Sequence, residues 1–160
     1  MGDPIQAAVA VEVPTSTRTA LDQAPDAEPP RTRLWRLPST ALSVRTMRYE
    51  LRPFLTESGL PDAEIDDLIL AAAEAAANGI EHARNPAQPY FDVRAEVDLR
   101  RVRVVVRDYG RWSTGRVDRV HRGRGLQMMS MLAAVSLTSG PLGTTVTLLN
   151  LVDGRPAGRG

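Results

Sequence analysis

Two polar side chains interrupt an alanine-rich, apolar stretch running from Leu68 to Ala83. Glu74 and Asn78 stand four residues apart, which on a helix puts them on one face, a turn from each other. His82 continues that line. A carboxylate and an amide in such surroundings are costly unless they are hydrogen-bonded or hold a ligand. The amide oxygen of Asn78 can ligate Mg²⁺, with phosphates completing the octahedron. Glu74, a turn away, could accept a proton from an attacking hydroxyl. Three further short segments follow in order: Asp108-x-Gly110, Gly123-Arg124-Gly125-Leu126 and Gly143-Thr144-Thr145-Val146. A carboxylate at a strand mouth can accept a hydrogen bond from an exocyclic amine such as that of adenine. Gly110 would let a flat ring approach backbone. Glycines entering a helix free N–H groups where anions are favoured. Each piece alone also fits an ordinary turn or a solvated helix face. Their fixed order on compatible elements is what narrows the reading.

Those elements follow from the hydrophobic pattern. Leu34 to Leu37 alternates and stops at Pro38, a short edge strand. Ser39 or Thr40 can cap a helix from about Ala41 to Glu57, with Val44, Met47, Leu51, Phe54 and Leu55 as its apolar stripe. Pro53 lies within it and should kink it, and Gly59 closes it. Pro61 and Asp62 open a second helix reaching about Arg84, with Ile65, Leu68, Ile69, Ala72, Ala76 and Ile80 inward. From Tyr90 to Asp108 the period becomes two. Phe91, Val93, Ala95, Val97 and Leu99, then Val102, Val104 and Val106, alternate with acids on one strand and arginines on the other. This is a β-hairpin with one apolar face, suited to cross-strand ion pairs. Helices should therefore cover one side of the sheet only. Asp108 to Arg124 reads as a long loop, Leu126 to about Ala134 as a short helix, and Val135–Ser139 and Thr144–Leu151 as strands around a turn at Pro141–Gly143.

Composition sets bounds on this reading. The chain has 160 residues, room for one domain and a tail. It has no cysteine, which excludes disulfides and thiolate sites, and two separated histidines, which argue against zinc. All 20 basic residues are arginine. Without lysine there is neither a Walker A loop nor a lysine-dependent kinase site. The net charge of +1 conceals segregation, since Arg100 to Arg124 carries nine arginines against Asp108 and Asp118. That suits an anionic ligand. A nucleic-acid surface is the weaker reading, because no nucleic-acid motif accompanies the arginines. No signal peptide or membrane-length apolar run is evident, so a cytoplasmic protein is expected. The expected organisation is a disordered tail over 1–31, one domain over 32–152 and a disordered tail over 153–160.

The stretches EAAANGIEHA, VRDYG, GRGLQMM and GTTVTL resemble the N, G1, G2 and G3 boxes of the histidine-kinase-like ATPase superfamily (the Bergerat or GHKL fold). Within it, the chain is most like the small bacterial anti-sigma-factor serine/threonine kinases. The resemblance covers about Leu34 to Leu151. It implies an α/β (α+β) two-layer sandwich, with a mixed, mostly antiparallel sheet covered on one face by about three helices. It also implies ATP and Mg²⁺ as cofactors, with Glu74 as general base and Asn78 as metal ligand. Asp108 would bind the adenine amino group with Gly110 beside the ring. Gly123, Arg124, Gly125 and Leu126 would lie against the phosphates, Thr144 or Thr145 would complete the adenine contacts, and 111–122 would form a lid. Arg119, Arg122 or Arg124 would steady the transferred charge. The implied activity is phosphorylation of an anti-anti-sigma protein with sequestration of a sigma factor. The alternative is a non-catalytic nucleotide-binding module acting through a partner. Neither nucleic acid nor membrane is an expected partner, and a homodimer is compatible with the family. Two positions depart from the family pattern. Gly79 stands where alanine is more usual, and Arg111-Trp112 replaces a second nearby glycine.

Overall fold

The computed structural model describes residues 8–10, 29–112 and 116–152; for 8–10, 84, 111–112 and 116–123 only the backbone is described. The elements in chain order are β1 (Ala8–Ala10), β2 (Arg31–Pro38), α1 (Ala41–Thr56), α2 (Asp62–His82), β3 (Ala83–Arg84), β4 (Tyr90–Val97), β5 (Arg101–Asp108), β6 (Arg111–Trp112), α3 (Arg116–Leu132), β7 (Ala134–Gly140) and β8 (Gly143–Leu151). Six strands form one sheet in the order β1-β7-β8-β5-β4-β2, and β3 pairs with β6 separately. Every pairing is antiparallel, so the sheet is not mixed as expected. Short turns join β4 to β5 and β7 to β8, α1 and α2 return the chain from β2 to lie antiparallel beside β4, and α3 carries it from β5 over β8 to β7, which runs in the same direction as β5.

Alternation along the strands divides the sheet into two faces. Phe91, Val93, Ala95 and Val97 of β4, Val102, Val104 and Val106 of β5, and Val146 and Leu148 of β8 are buried on one face. Met47, Leu51 and Leu55 of α1, Ile65, Leu68 and Ile69 of α2 and Met129 of α3 join them in a single core. Each fully buried side chain of this size contributes about 1.5–3 kcal/mol relative to exposure, which is why the helices cover the apolar face. The opposite face carries Arg36, Asp92, Arg94, Glu96, Arg103 and Arg107. The expected pairing across the hairpin is present between Arg103 and Glu96, at 3.3 Å. Asp92 instead bonds Arg36 of β2, although Arg107 is its register partner.

Helix α1 begins where the sequence placed it. Thr40 is its N-cap and accepts from the Ser43 N–H at 3.3 Å, a bond worth about 1 kcal/mol. The helix runs past Pro53 to Thr56. Gly59, at φ +81°, turns the chain towards α2. Helix α2 is buried on more sides than a surface stripe requires. Ala71, Ala73 and Ala75 are covered as well as Ala72 and Ala76. Small side chains there let α1, α3 and the sheet all approach one central helix. Helix α2 ends at His82, two residues short of expectation, because Ala83 and Arg84 pair with Trp112 and Arg111.

Two further expectations change. Residues 8–10, assigned to an unstructured tail, form a strand along β7, with Ala8 opposite Thr138 and Ala10 opposite Ser136. The other tail residues, 1–7, 11–28 and 153–160, lie outside the described residues. The stretch read as a loop up to Arg124 is helical from Arg116, so α3 is twice the expected length and holds Gly123 and Gly125 in its interior. Among the described residues no helix is long and apolar enough to cross a membrane.

Candidate functional site

The polar residues singled out in the sequence gather at one end of the sandwich, where α2, the end of β5, the start of β8 and α3 meet. Backbone approaches show how tightly they meet. A Cβ on Gly79 would lie 3.0 Å from the Cβ and from Oδ2 of Asp108. The residue after Asn78 is therefore in contact with the strand-end carboxylate. A Cβ on Gly110 would lie 2.0 Å from Ala83 Cβ, so the turn after Asp108 rests on the end of α2. The two-residue ladder of β3 and β6 holds the same junction. Glycine at 79, where the family more often has alanine, admits Asp108 directly against the helix.

Asp108 accepts the Gly110 N–H at 3.0 Å through Oδ1. It is half-buried on the helix-covered face, and its register partner on β8 is Thr144. Thr144 is 2% exposed, and its hydroxyl lies 3.1 Å from that of Ser139 on β7. Valines and leucines otherwise cover this face, so a carboxylate and two hydroxyls at one end of it are a polar patch set on hydrocarbon. Thr145 pairs with Arg107 and points to the opposite face. Of the two threonines offered by the sequence, Thr144 has its side chain beside Asp108 and Thr145 does not.

Glu74 and Asn78 are partly exposed on α2, on the side that meets α3. A Cβ on Gly125 would lie 2.7 Å from Asn78 Nδ2 and 3.0 Å from Glu74 Oε1. Gly125 thus sits over both side chains, which confirms their common face. The expectation that Gly123 and Gly125 open a helix is not met. In a helix interior their N–H groups point back along the axis to carbonyls four residues earlier, so they are not presented to an anion in this arrangement. Leu126 packs against the core, and Arg124 is exposed. The side chains of Arg119 and Arg122, and residues 113–115 of the expected lid, lie outside the described residues.

The residues present fit an adenine nucleotide at the Asp108 end. The carboxylate and the Thr144 hydroxyl supply a donor–acceptor edge, whereas Gly110 is buried against Ala83 and its glycine serves that close packing rather than the open approach of a ring expected from the sequence. Asn78 would supply one neutral oxygen to a cation. Among the described residues no three His, Asp or Glu side chains converge to hold a metal by themselves. Magnesium here would depend on phosphate oxygens for most of its shell.

Sequence reading missed three contributors. Ser139 reaches Thr144 only through the β7–β8 register. Ala83 matters through its contact with Gly110. Tyr109, between the two residues of the Asp-x-Gly motif, donates to Asp92 at 2.6 Å. Alternation puts Asp92 on the polar face but stops short of Tyr109, and nothing in the sequence signals the pairing of β2 with β4 that brings Arg36 to Asp92.

Residues 37–149 match the family described as histidine kinase-like ATPase domain. Among solved structures, the chain is similar to the RsbU and RsbW domains of Rv1364c from Mycobacterium tuberculosis. The TM-score is 0.62 and the identity 28%, over 76% of this chain and 32% of that one. The chain therefore spans about a third of that larger chain. The match runs from the end of β2 into β8, including α2 with Glu74 and Asn78, Asp108 and Gly143, and the one-faced antiparallel sheet accords with it. By sequence and by architecture, the chain belongs to the histidine kinase-like ATPase domain family.

Proposed function

We propose that this domain binds Mg-ATP and transfers its terminal phosphoryl group to a serine or threonine hydroxyl of a partner protein, in the manner of the anti-sigma-factor kinases it resembles. The observation that carries this reading is the contact of Asp108 with Gly79, the residue after Asn78, which sets the strand-end carboxylate against the helix bearing Asn78 and Glu74. Asp108 and Thr144 would hold the base. Asn78 would hold the cation. Glu74 would take the proton from the partner's hydroxyl. The bound nucleotide supplies the phosphoryl group, and little covalent help is needed from the protein beyond positioning and charge neutralisation. The partners implied are an anti-anti-sigma protein as substrate and a sigma factor held by the same domain. The likeness to a chain containing an RsbW domain supports that choice.

The test is incubation with labelled ATP, Mg²⁺ and the cognate antagonist. Label on a serine or threonine of the antagonist is the expected outcome, and binding of ATP without transfer refutes the kinase reading. Asp108→Asn removes the charge from the base contact and is expected to weaken ADP binding roughly tenfold, the loss of one charge-assisted hydrogen bond. Equal affinity by calorimetry would remove Asp108 from its role.

One observation favours a second reading. Helix α3 runs through Gly123–Leu126 and sets Gly125 onto Glu74 and Asn78. A protein that kept α3 so placed would regulate by occupancy and partner binding, without turnover. Transfer to the antagonist separates the two readings.

A further inference from the structure

On the sheet face away from the helices, three side chains meet Tyr109, and Arg36 braces two of them. Its hydroxyl donates to Asp92 Oδ2 at 2.6 Å. Asp92 also accepts from Arg36 Nε at 2.8 Å and Nη2 at 3.0 Å, a two-pronged pair across β2 and β4. The Arg36 guanidinium lies 4.1 Å from the centre of the Tyr90 ring, and Tyr90 meets Tyr109 edge-on at 5.3 Å. Arg107 lies 4.9 Å from the Tyr109 ring centre. The Tyr109 carbonyl accepts from the Ala87 N–H at 2.9 Å. Tyr109 is thus held by its hydroxyl, its ring and its backbone.

An exposed ion pair of this kind ordinarily contributes little. This one differs in that the Asp92 side chain is 13% exposed. It also ends on a residue bonded covalently to Asp108 and Gly110. The paired Arg36 guanidinium, and after it the Tyr109 hydroxyl, hold the Asp92 carboxyl below its ordinary range, while the bond to Asp92 pushes the Tyr109 hydroxyl up. Both shifts describe a carboxylate kept charged and a phenol kept as donor. Successive side chains of a strand project to opposite faces. Tyr109 and Asp108 share one stretch of backbone, so anchoring the phenol on one face restrains the backbone from which the carboxylate projects on the other, where Gly110 N–H also holds it. A second network on the same face, Arg94–Glu96–Arg103, has the same chemistry and no connection to Asp108.

We propose that Asp92, braced by Arg36, is a positioning residue for base recognition: through Tyr109 it sets the direction in which Asp108 presents its carboxylate to an adenine ring. The inference rests on the reading that Asp108 holds the base. Asp92 touches no ligand itself.

The test compares ADP and GDP binding to the full chain by calorimetry, with thermal melting alongside. Asp92→Ala is expected to weaken ADP binding roughly tenfold and to narrow the ADP-over-GDP preference by a similar factor, since only recognition of the base depends on the aim of Asp108. Asp92→Glu should recover most of the preference. Glu96→Ala should leave it unchanged whatever it does to the melting temperature. Should Asp92→Ala fold poorly, Tyr109→Phe keeps the ring and removes only the donated bond, and a narrowed preference is again expected. A wild-type preference in folded Asp92→Ala, or in Tyr109→Phe where Asp92→Ala does not fold, overturns the proposal. So does an equal loss in Glu96→Ala, which would mark a general effect of the sheet face. A wild-type protein that binds no adenine nucleotide overturns the functional reading, and this inference with it.

Discussion

Glu74→Gln is expected to slow phosphoryl transfer to the partner by about 10²–10⁴-fold, the usual contribution of a positioned general base. Affinity for ADP should stay at the wild-type value. The substitution keeps the size and the hydrogen-bonding oxygen of a side chain that lies beside Gly125, and so preserves the packing of α3 on α2. What it removes is basicity. Asn78 and Asp108 would still hold cation and base, so binding and turnover should separate. Residual transfer is also expected, because orientation and charge neutralisation survive the change. Initial rates with labelled ATP and calorimetric ADP binding are the measurements. An unchanged rate would remove Glu74 from the base role. Equal losses of rate and affinity would make it a structural contact between α2 and α3.

The parts of the fold that a reader of the sequence could see are those with a strong local period. The β4–β5 hairpin was visible because a slip of one residue would carry Val93, Val104 and their neighbours to the charged face. Helix α2 was visible from its length and its apolar face. Its burial on several sides was foreshadowed by the small residues from Ala71 to Ala77, though not which elements they admit. Helix α3 was misread for a physical reason. In the sequence Gly123 and Gly125 read as the entry to a helix, and the arginine-rich stretch before them as a loop. Arginine is a good helix former, and glycine inside a helix costs only about 1 kcal/mol. The structure gives Gly125 another purpose, since any side chain there would collide with Asn78. A glycine required for close approach and a glycine required for a turn look the same in sequence.

The same ambiguity explains which half of the candidate site was legible. Glu74, Asn78 and Asp108 are conspicuous because each is a polar residue at a position where the local pattern asks for hydrocarbon or a strand end. Their convergence depends on contacts that have no local signature. Gly79 on Asp108, Gly110 on Ala83 and Gly125 on Asn78 are all long-range approaches of backbone. The partner of Asp92 was missed likewise. Arg107 on the neighbouring strand was the nearer candidate, and the bond goes to Arg36 on the other side. Register between distant strands decides such pairs, and the sequence states register only within a hairpin.

Gly143→Ala is the backbone substitution expected to do most damage. Gly143 follows the Pro141–Leu142 turn at φ +128°, a conformation that alanine rarely adopts. A Cβ there would also lie 2.0 Å from the carbonyl oxygen of Asp108 and 2.9 Å from Tyr109 Cα. Both costs fall on backbone, which cannot swing aside as a long side chain would. Backbone strain and overpacking together should destabilise the fold by about 3 kcal/mol, lowering the melting temperature by roughly 6–12 °C in a domain of this size. ADP affinity should fall as well, because the atoms that must retreat belong to Asp108. Gly140→Ala, in the residue paired with Gly143 across the same turn, is the control: nothing lies within 4 Å of its Cβ position, and a change within about 0.5 kcal/mol is expected. Equal melting temperatures for the two variants would mean that β8 does not press on the end of β5, and the proposed base contact would then lose the wall it is built against.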